Sequence, residues 1–150
     1  DIGELKTDTM FYAGKLLNGK AHGKGKLEYT SGQNYGDKYE GDFDNNLFHG
    51  YGTYTWKDGA TYTGEFKQGK LTGKGRKLYA NKDVLEGTFV DGKGNGEGTC
   101  QKYNGDMYKG GFQDNYYHGK GRVDYKKGGY YDGQWDRGFA SGKGEKKYEN

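Results

Sequence analysis

Proline is absent from the 150 residues, cysteine occurs once, and charge of either sign is in only slight excess. Without proline, every turn has to be made by other residues. A single cysteine, Cys100, excludes an internal disulfide and fits a reducing compartment. Twenty-four basic residues against 21 acidic ones give a net +3, far from the balance of a dedicated nucleic-acid binder. No apolar run approaches the ~20 residues of a membrane-spanning helix. The opening segment Asp1–Lys6 lacks the apolar stretch of a signal peptide. The chain therefore reads as soluble and intracellular. Apolar residues reach only 30%, below the ~45–50% of an average globular domain.

What is present in excess is glycine, 31 residues, and tyrosine, 16 residues, with aromatics at 17% overall. Low hydrophobicity alone would suggest disorder, but disordered chains are poor in aromatics. A repeat reconciles the two. Tyr-x-Gly-x-Phe/Trp recurs at Tyr39-Gly41-Phe43, Tyr62-Gly64-Phe66, Tyr108-Gly110-Phe112 and Tyr131-Gly133-Trp135, with weaker copies at Tyr12-Gly14-Leu16 and Leu85-Gly87-Phe89. From Tyr39 onward the copies start 23 residues apart; the first is separated from the second by 27, one period plus a four-residue insertion.

With the first residue of the motif numbered 0, glycine fills positions 2, 11 and 13 in all six copies. Position 7 is Gly or Asn throughout (Gly19, Asn46, Gly69, Gly92, Asn115, Gly138). Position 20 is glycine in four copies and Lys82 in another. Side chains alternate across an extended strand, so positions 0, 2 and 4 share a face, as do 11, 13, 15 and 17. Position 7 marks a tight loop, because Gly and Asn most readily accept positive φ. Pairs such as Asp58-Gly59 and Asn104-Gly105 mark a second turn. Each unit is thus strand, loop, strand, turn. The face holding positions 0, 4, 15 and 17 is aromatic and apolar, with the glycines at 2, 11 and 13 leaving room for neighbouring rings. Lys77, Lys102 and Lys146 interrupt that face and predict looser packing in the third, fourth and sixth copies.

These residues, together with His-Gly-x-Gly at positions 10 to 13, resemble the membrane occupation and recognition nexus (MORN) repeat, in six in-phase copies from Tyr12 to the C-terminus. The resemblance implies an all-β, elongated, single-layer antiparallel β-hairpin meander, a solenoid with an aromatic groove. The expected organisation is an N-terminal capping segment or partial repeat at 1–11, then repeats at 12–38, 39–61, 62–84, 85–107, 108–130 and 131–150. At ~4.8 Å per strand, six such repeats would span on the order of 55 Å. In family members that are lipid kinases or a lysine methyltransferase, the repeats accompany a separate catalytic domain. Because the first residues match poorly and the last repeat stops at position 19, a fragment of such an enzyme is one alternative.

Residues that invite a chemical reading fall into the repeat instead. His22, His49 and His118 all occupy position 10, so they belong to separate loops roughly 10 Å apart or more, too far to share a zinc ion. Cys100 falls at the inward position 15, as a small core residue. The Gly-x-Gly pairs open no helix, so they predict no phosphate loop. No catalytic residues, metal site or cofactor are expected. The expected function is a non-catalytic scaffold or adaptor. A partner helix or extended segment, or a second copy of the chain, would lie on Tyr39, Phe43, Tyr54, Trp56, Tyr62, Phe66, Tyr108, Phe112 and Trp135. A cytoplasmic protein associated with cytoskeleton or membrane is the expected setting. The alternative is an anionic-lipid or phosphoinositide module using the outward stripe Lys24, Lys26, Lys74, Arg76, Lys120 and Arg122. Glu40, Asp42, Glu65 and Glu86 share that face and predict a mixed, solvated surface. The insertion around Tyr35 is expected to be tolerated, or else to bend the array or present Tyr35 to a partner.

Overall fold

The computed structural model describes residues 1–148. Its strands are β1 (Ile2–Lys6), β2 (Met10–Leu17), β3 (Lys20–Tyr29), β4 (Lys38–Asp44), β5 (Leu47–Thr55), β6 (Thr61–Lys67) and β7 (Lys70–Leu78). They continue with β8 (Val84–Val90), β9 (Lys93–Gln101), β10 (Met107–Gln113), β11 (Tyr116–Asp124), β12 (Gly129–Asp136) and β13 (Phe139–Tyr148). The strand order is the chain order, an antiparallel meander without helix among the described residues. The all-β hairpin architecture expected from the repeat is the one observed. Two compact units can be distinguished, Asp1–Gly73 and the part from Lys74 onward.

Local chemistry sets the hairpins. The loop residues at positions 6 and 7 both take positive φ, as at Asn45 (51°) and Asn46 (72°) or Asp114 (49°) and Asn115 (74°). Two consecutive left-handed residues make the tight turn whose twist matches paired strands. Successive hairpin tips are then tied together: the Asn46 amide donates to the Ala21 carbonyl at 3.0 Å, while the Asn46 side chain accepts from the Ala21 amide at 2.8 Å. Asn115 makes the same pair with Gly94, at 3.0 and 2.7 Å.

The rings form an edge-to-face series within each unit. Phe43 stands edge-on to Tyr12 and Tyr39 at 4.9 and 5.0 Å, and Phe66 to Tyr39 and Tyr62 at 5.0 and 5.2 Å. In the second unit Trp135 stands edge-on to Tyr108 and Tyr131 at 5.6 and 5.2 Å. Such pairs add to the ~150–250 Å² of surface that each ring removes from water.

One expectation about this face needs correcting. The sheet does not leave its aromatic side bare, because the hairpins of the second and fifth repeats bend back over their own first ring. Between β4 and β5, Gly41 pairs with Gly52, but Phe43 pairs with Phe48, so His49, Gly50 and Tyr51 stand opposite Asp42 alone. The same slip follows Gly110 in β10, Gly14 in β2 and Gly87 in β8. This bulge turns the distal part of the hairpin. It lays Phe48 flat on Tyr39 at 4.0 Å and 18°, and Tyr117 on Tyr108 at 3.8 Å and 3°.

The bulge also reassigns the glycine at position 11. It is left-handed in every repeat, from φ 64° at Gly142 to 113° at Gly73. At Gly119 (φ 77°) an added Cβ would have no atom within 4 Å. Backbone conformation, not room for a ring, is what position 11 requires. Position 13 does need the room: a Cβ on Gly52 or Gly121 would run into the ring of Tyr39 or Tyr108.

Candidate functional site

Eight of the nine rings expected to form a partner groove are core residues. Tyr39, Phe43, Tyr54, Tyr62, Phe66, Tyr108, Phe112 and Trp135 are between 0% and 9% exposed. Trp56 alone is half-buried, packed on Tyr54 at 4.8 Å. Within each unit the structure does bring these rings together on one side of the strands, but as an interior made by the chain itself.

The hydroxyls of the position-0 tyrosines are part of that interior. Each donates to the backbone carbonyl three residues on: Tyr12 to Lys15 at 2.6 Å, Tyr39 to Asp42 at 2.7 Å, Tyr62 to Glu65 at 2.9 Å, Tyr108 to Gly111 at 2.7 Å and Tyr131 to Gln134 at 3.0 Å. Every accepting residue lies at position 3, and Lys15, Asp42 and Gly111 stand opposite the bulge. Burial pushes two of these phenols up to about 12, Tyr62, where the Glu65 charge adds, and Tyr108.

A second recurring device is an aspartate two residues before the motif. Asp37 is buried and accepts from the Tyr54 hydroxyl at 2.6 Å and from the Lys57 amide at 2.8 Å. Asp83 accepts from the Tyr103 amide at 2.8 Å, and Asp106 from the Lys126 amide at 2.9 Å. In each case the carboxylate fixes the second turn of the repeat it precedes. The insertion before Asp37 is a turn held by its own backbone, with Tyr35 exposed and the Lys57 ammonium 5.1 Å from its ring.

Three residues of the outward basic stripe meet acidic neighbours on the same or the facing strand. Lys24 contacts Asp42 at 2.7 Å and Lys26 contacts Glu40 at 4.0 Å. Arg122 contacts Asp124 at 3.0 Å and Asp132 at 4.0 Å. Lys74, Arg76 and Lys120 are exposed. In the first unit this face carries two open grooves of about 780 and 440 Å³, lined by mixed charge, threonines and the exposed Tyr51. His22 faces Asp44 at 3.3 Å and His118 faces Asp136 at 3.6 Å, each pair linking position 10 to position 5 of the next repeat.

A third groove, of about 570 Å³, opens in the second unit, and it lies on the aromatic side. Tyr79, Phe112, Tyr116 and Tyr117 supply its rings, Leu85 and Cys100 line it with smaller groups, and Asp83, Lys102 and Asn115 supply polar groups. It exists because the fourth repeat is short of large side chains. Leu85 replaces the position-0 tyrosine, Gly94 the ring at position 9, Cys100 the residue at 15 and Lys102 the aromatic at 17. Cys100 is buried, as its inward position implied, and burial pushes its thiol upward. Tyr116 in the lining remains 54% exposed, and Phe139, which follows the lining residue Gly138 in the chain, 77%.

A fold of in-register hairpins, locked by tyrosines seated on glycines, defines a β-hairpin repeat protein. The MORN repeat family model matches residues 12–33, 39–61, 62–84, 86–107, 108–130 and 131–150, and the chain belongs to that family. Comparison with curated proteins gave no match.

Proposed function

We propose that the chain is a non-catalytic scaffold or adaptor that holds a segment of a partner protein on its aromatic side, within a cytoskeletal or membrane-associated assembly. The observation that carries this reading is the groove of about 570 Å³ between Tyr79, Phe112, Tyr116 and Tyr117. A pocket of this size with aromatic walls and a few polar groups has the make-up of a recognition site. Tyr116 in its lining and Phe139, next in the chain to the lining residue Gly138, are exposed rings that a partner can cover. Salt bridges from Lys24, Lys26 and Arg122 to acidic neighbours break up the cationic stripe, which favours a protein over an anionic membrane surface.

The test uses the immobilised chain and a double variant, Tyr116→Ser with Phe139→Ser, which removes exposed rings and spares the core. Partners identified by mass spectrometry with the parent chain should be lost with the variant while circular dichroism is unchanged. Equal capture by both proteins would overturn the reading. Salt-sensitive flotation on phosphatidylserine vesicles, abolished by charge reversal at Lys74, Arg76 and Lys120, would replace it with the lipid-binding alternative.

A further inference from the structure

The groove of the fourth repeat can be compared with the same place in the second, where the chain fills it. There, Tyr54 at position 15 lies between Phe48 and Trp56, at 5.9 and 4.8 Å, and its hydroxyl donates to Asp37 Oδ2 at 2.6 Å. The other oxygen of Asp37 is held by the Lys57 amide at 2.8 Å. In the fourth repeat the carboxylate is kept and held in the same way, by the Tyr103 amide at 2.8 Å on Asp83 Oδ1. What is missing is the phenol. Cys100 stands at position 15, with Gly94 and Lys102 in place of Phe48 and Trp56.

Asp83 Oδ2 is met instead by the Lys102 ammonium at 3.2 Å and the Asn81 amide at 3.3 Å. Lys102 is a long, flexible side chain, 45% exposed, that can leave the carboxylate and settle over an incoming ring. The opposite wall, Tyr117, reaches the Cys100 thiol with its hydroxyl and presents aromatic surface to the gap.

We propose that this groove receives a tyrosine side chain of a partner protein segment, which takes the place Tyr54 occupies in the second repeat and donates its hydroxyl to Asp83. The inference rests on the scaffold reading and names the chemistry of the partner. A tyrosine satisfies each feature at once: the ring fills the space above Cys100, packs on Tyr117 and Phe112, and its hydroxyl supplies the donor that Asp37 receives internally. Phenylalanine offers the ring without the donor. A phenylalanine that draws Lys102 over its ring leaves Asp83 Oδ2 with the Asn81 amide alone, which makes it the weaker ligand, since a site built for a hydroxyl discriminates against an analogue that lacks one.

The experiment is an NMR titration of the intact chain with N-acetyl-tyrosinamide, N-acetyl-phenylalaninamide and N-acetyl-leucinamide. The tyrosine probe should shift the amides of Leu85, Cys100 and Tyr117 saturably, with a dissociation constant on the order of 1 mM for so small a ligand. The phenylalanine probe should bind about tenfold more weakly, and the leucine probe should not saturate. Asp83→Asn should narrow the gap between the first two. Cys100→Tyr should rebuild the internal arrangement, abolish binding, and keep or raise the melting temperature.

Equal affinity for the tyrosine and phenylalanine probes, binding that survives Cys100→Tyr, or no saturable shift would each overturn the proposal. Self-association abolished by Cys100→Tyr would assign the groove to a second copy of the chain and overturn it too. Partner capture that depends on Tyr116 and Phe139 without any tyrosine binding would reject the tyrosine and leave the scaffold standing. The reverse pattern would reject the scaffold and leave the pocket.

Discussion

The hydroxyl of Tyr62 donates to the backbone carbonyl of Glu65 at 2.9 Å, three residues further along the same strand. Four other repeats make the same bond, so the tyrosine is chosen for its oxygen as well as its ring. Tyr62→Phe should keep the packing and leave that carbonyl without its donor, at about 1 kcal/mol. Thermal unfolding should show a melting temperature lower by about 2–4 °C. An unchanged midpoint would mean that water replaces the hydroxyl at no loss.

Gly119 has φ 77° and empty space where a Cβ would point. Gly119→Ala should therefore cost about 1–2 kcal/mol through backbone conformation alone. Gly119→Asn should recover part of that loss, because asparagine tolerates the left-handed region. Urea midpoints for the two variants check this.

Lys82 sits at φ 79° in the turn where four other repeats carry glycine, and its side chain is exposed. Lys82→Gly should relieve the left-handed strain and return part of the gain as unfolded-state entropy, for a net stabilisation of about 0.5–1 kcal/mol. A lower urea midpoint would contradict it.

The phenols of Tyr62 and Tyr108 are raised by burial from 10.0 to about 12. The folded state thus prefers the protonated form more strongly than the unfolded chain does. Stability from this source is complete below pH 10.0 and is lost as pH rises towards about 12. Urea midpoints measured across that window should fall. The fall should be shallower in the double variant Tyr62→Phe, Tyr108→Phe.

Much of this was legible in the residues. Period-two alternation puts Tyr39 and Phe43 on one side of the strand, and they meet there at 5.0 Å. Position 7 announces the loop because only Gly and Asn occur in it. The bulge was not legible, because the residues opposite it, Lys15, Asp42, Thr88 and Gly111, have nothing in common. Position 6 is likewise left-handed in every repeat, yet it is filled by Asn, Gln, Asp or Arg. The covering ring at position 9 escaped notice because Phe48 and Tyr117 alternate there with Ala21, Leu71 and Gly94. Missing that ring made a buried core look like an open groove. The opening in the fourth repeat became visible only once the filled repeats could serve as its template.

The fold depends on position-0 tyrosines resting on position-13 glycines, as Tyr39 does on Gly52 and Tyr108 on Gly121. A double-mutant cycle on Tyr108 and Gly121 measures this contact, by urea denaturation of Tyr108→Leu, Gly121→Ala and the combination. Gly121→Ala should be strongly destabilising in the parent chain, by about 2 kcal/mol or more. In the Tyr108→Leu background, which copies Leu85, it should be milder, with a coupling of about 1–3 kcal/mol. Strictly additive effects would contradict the contact on which the hairpin interior is built.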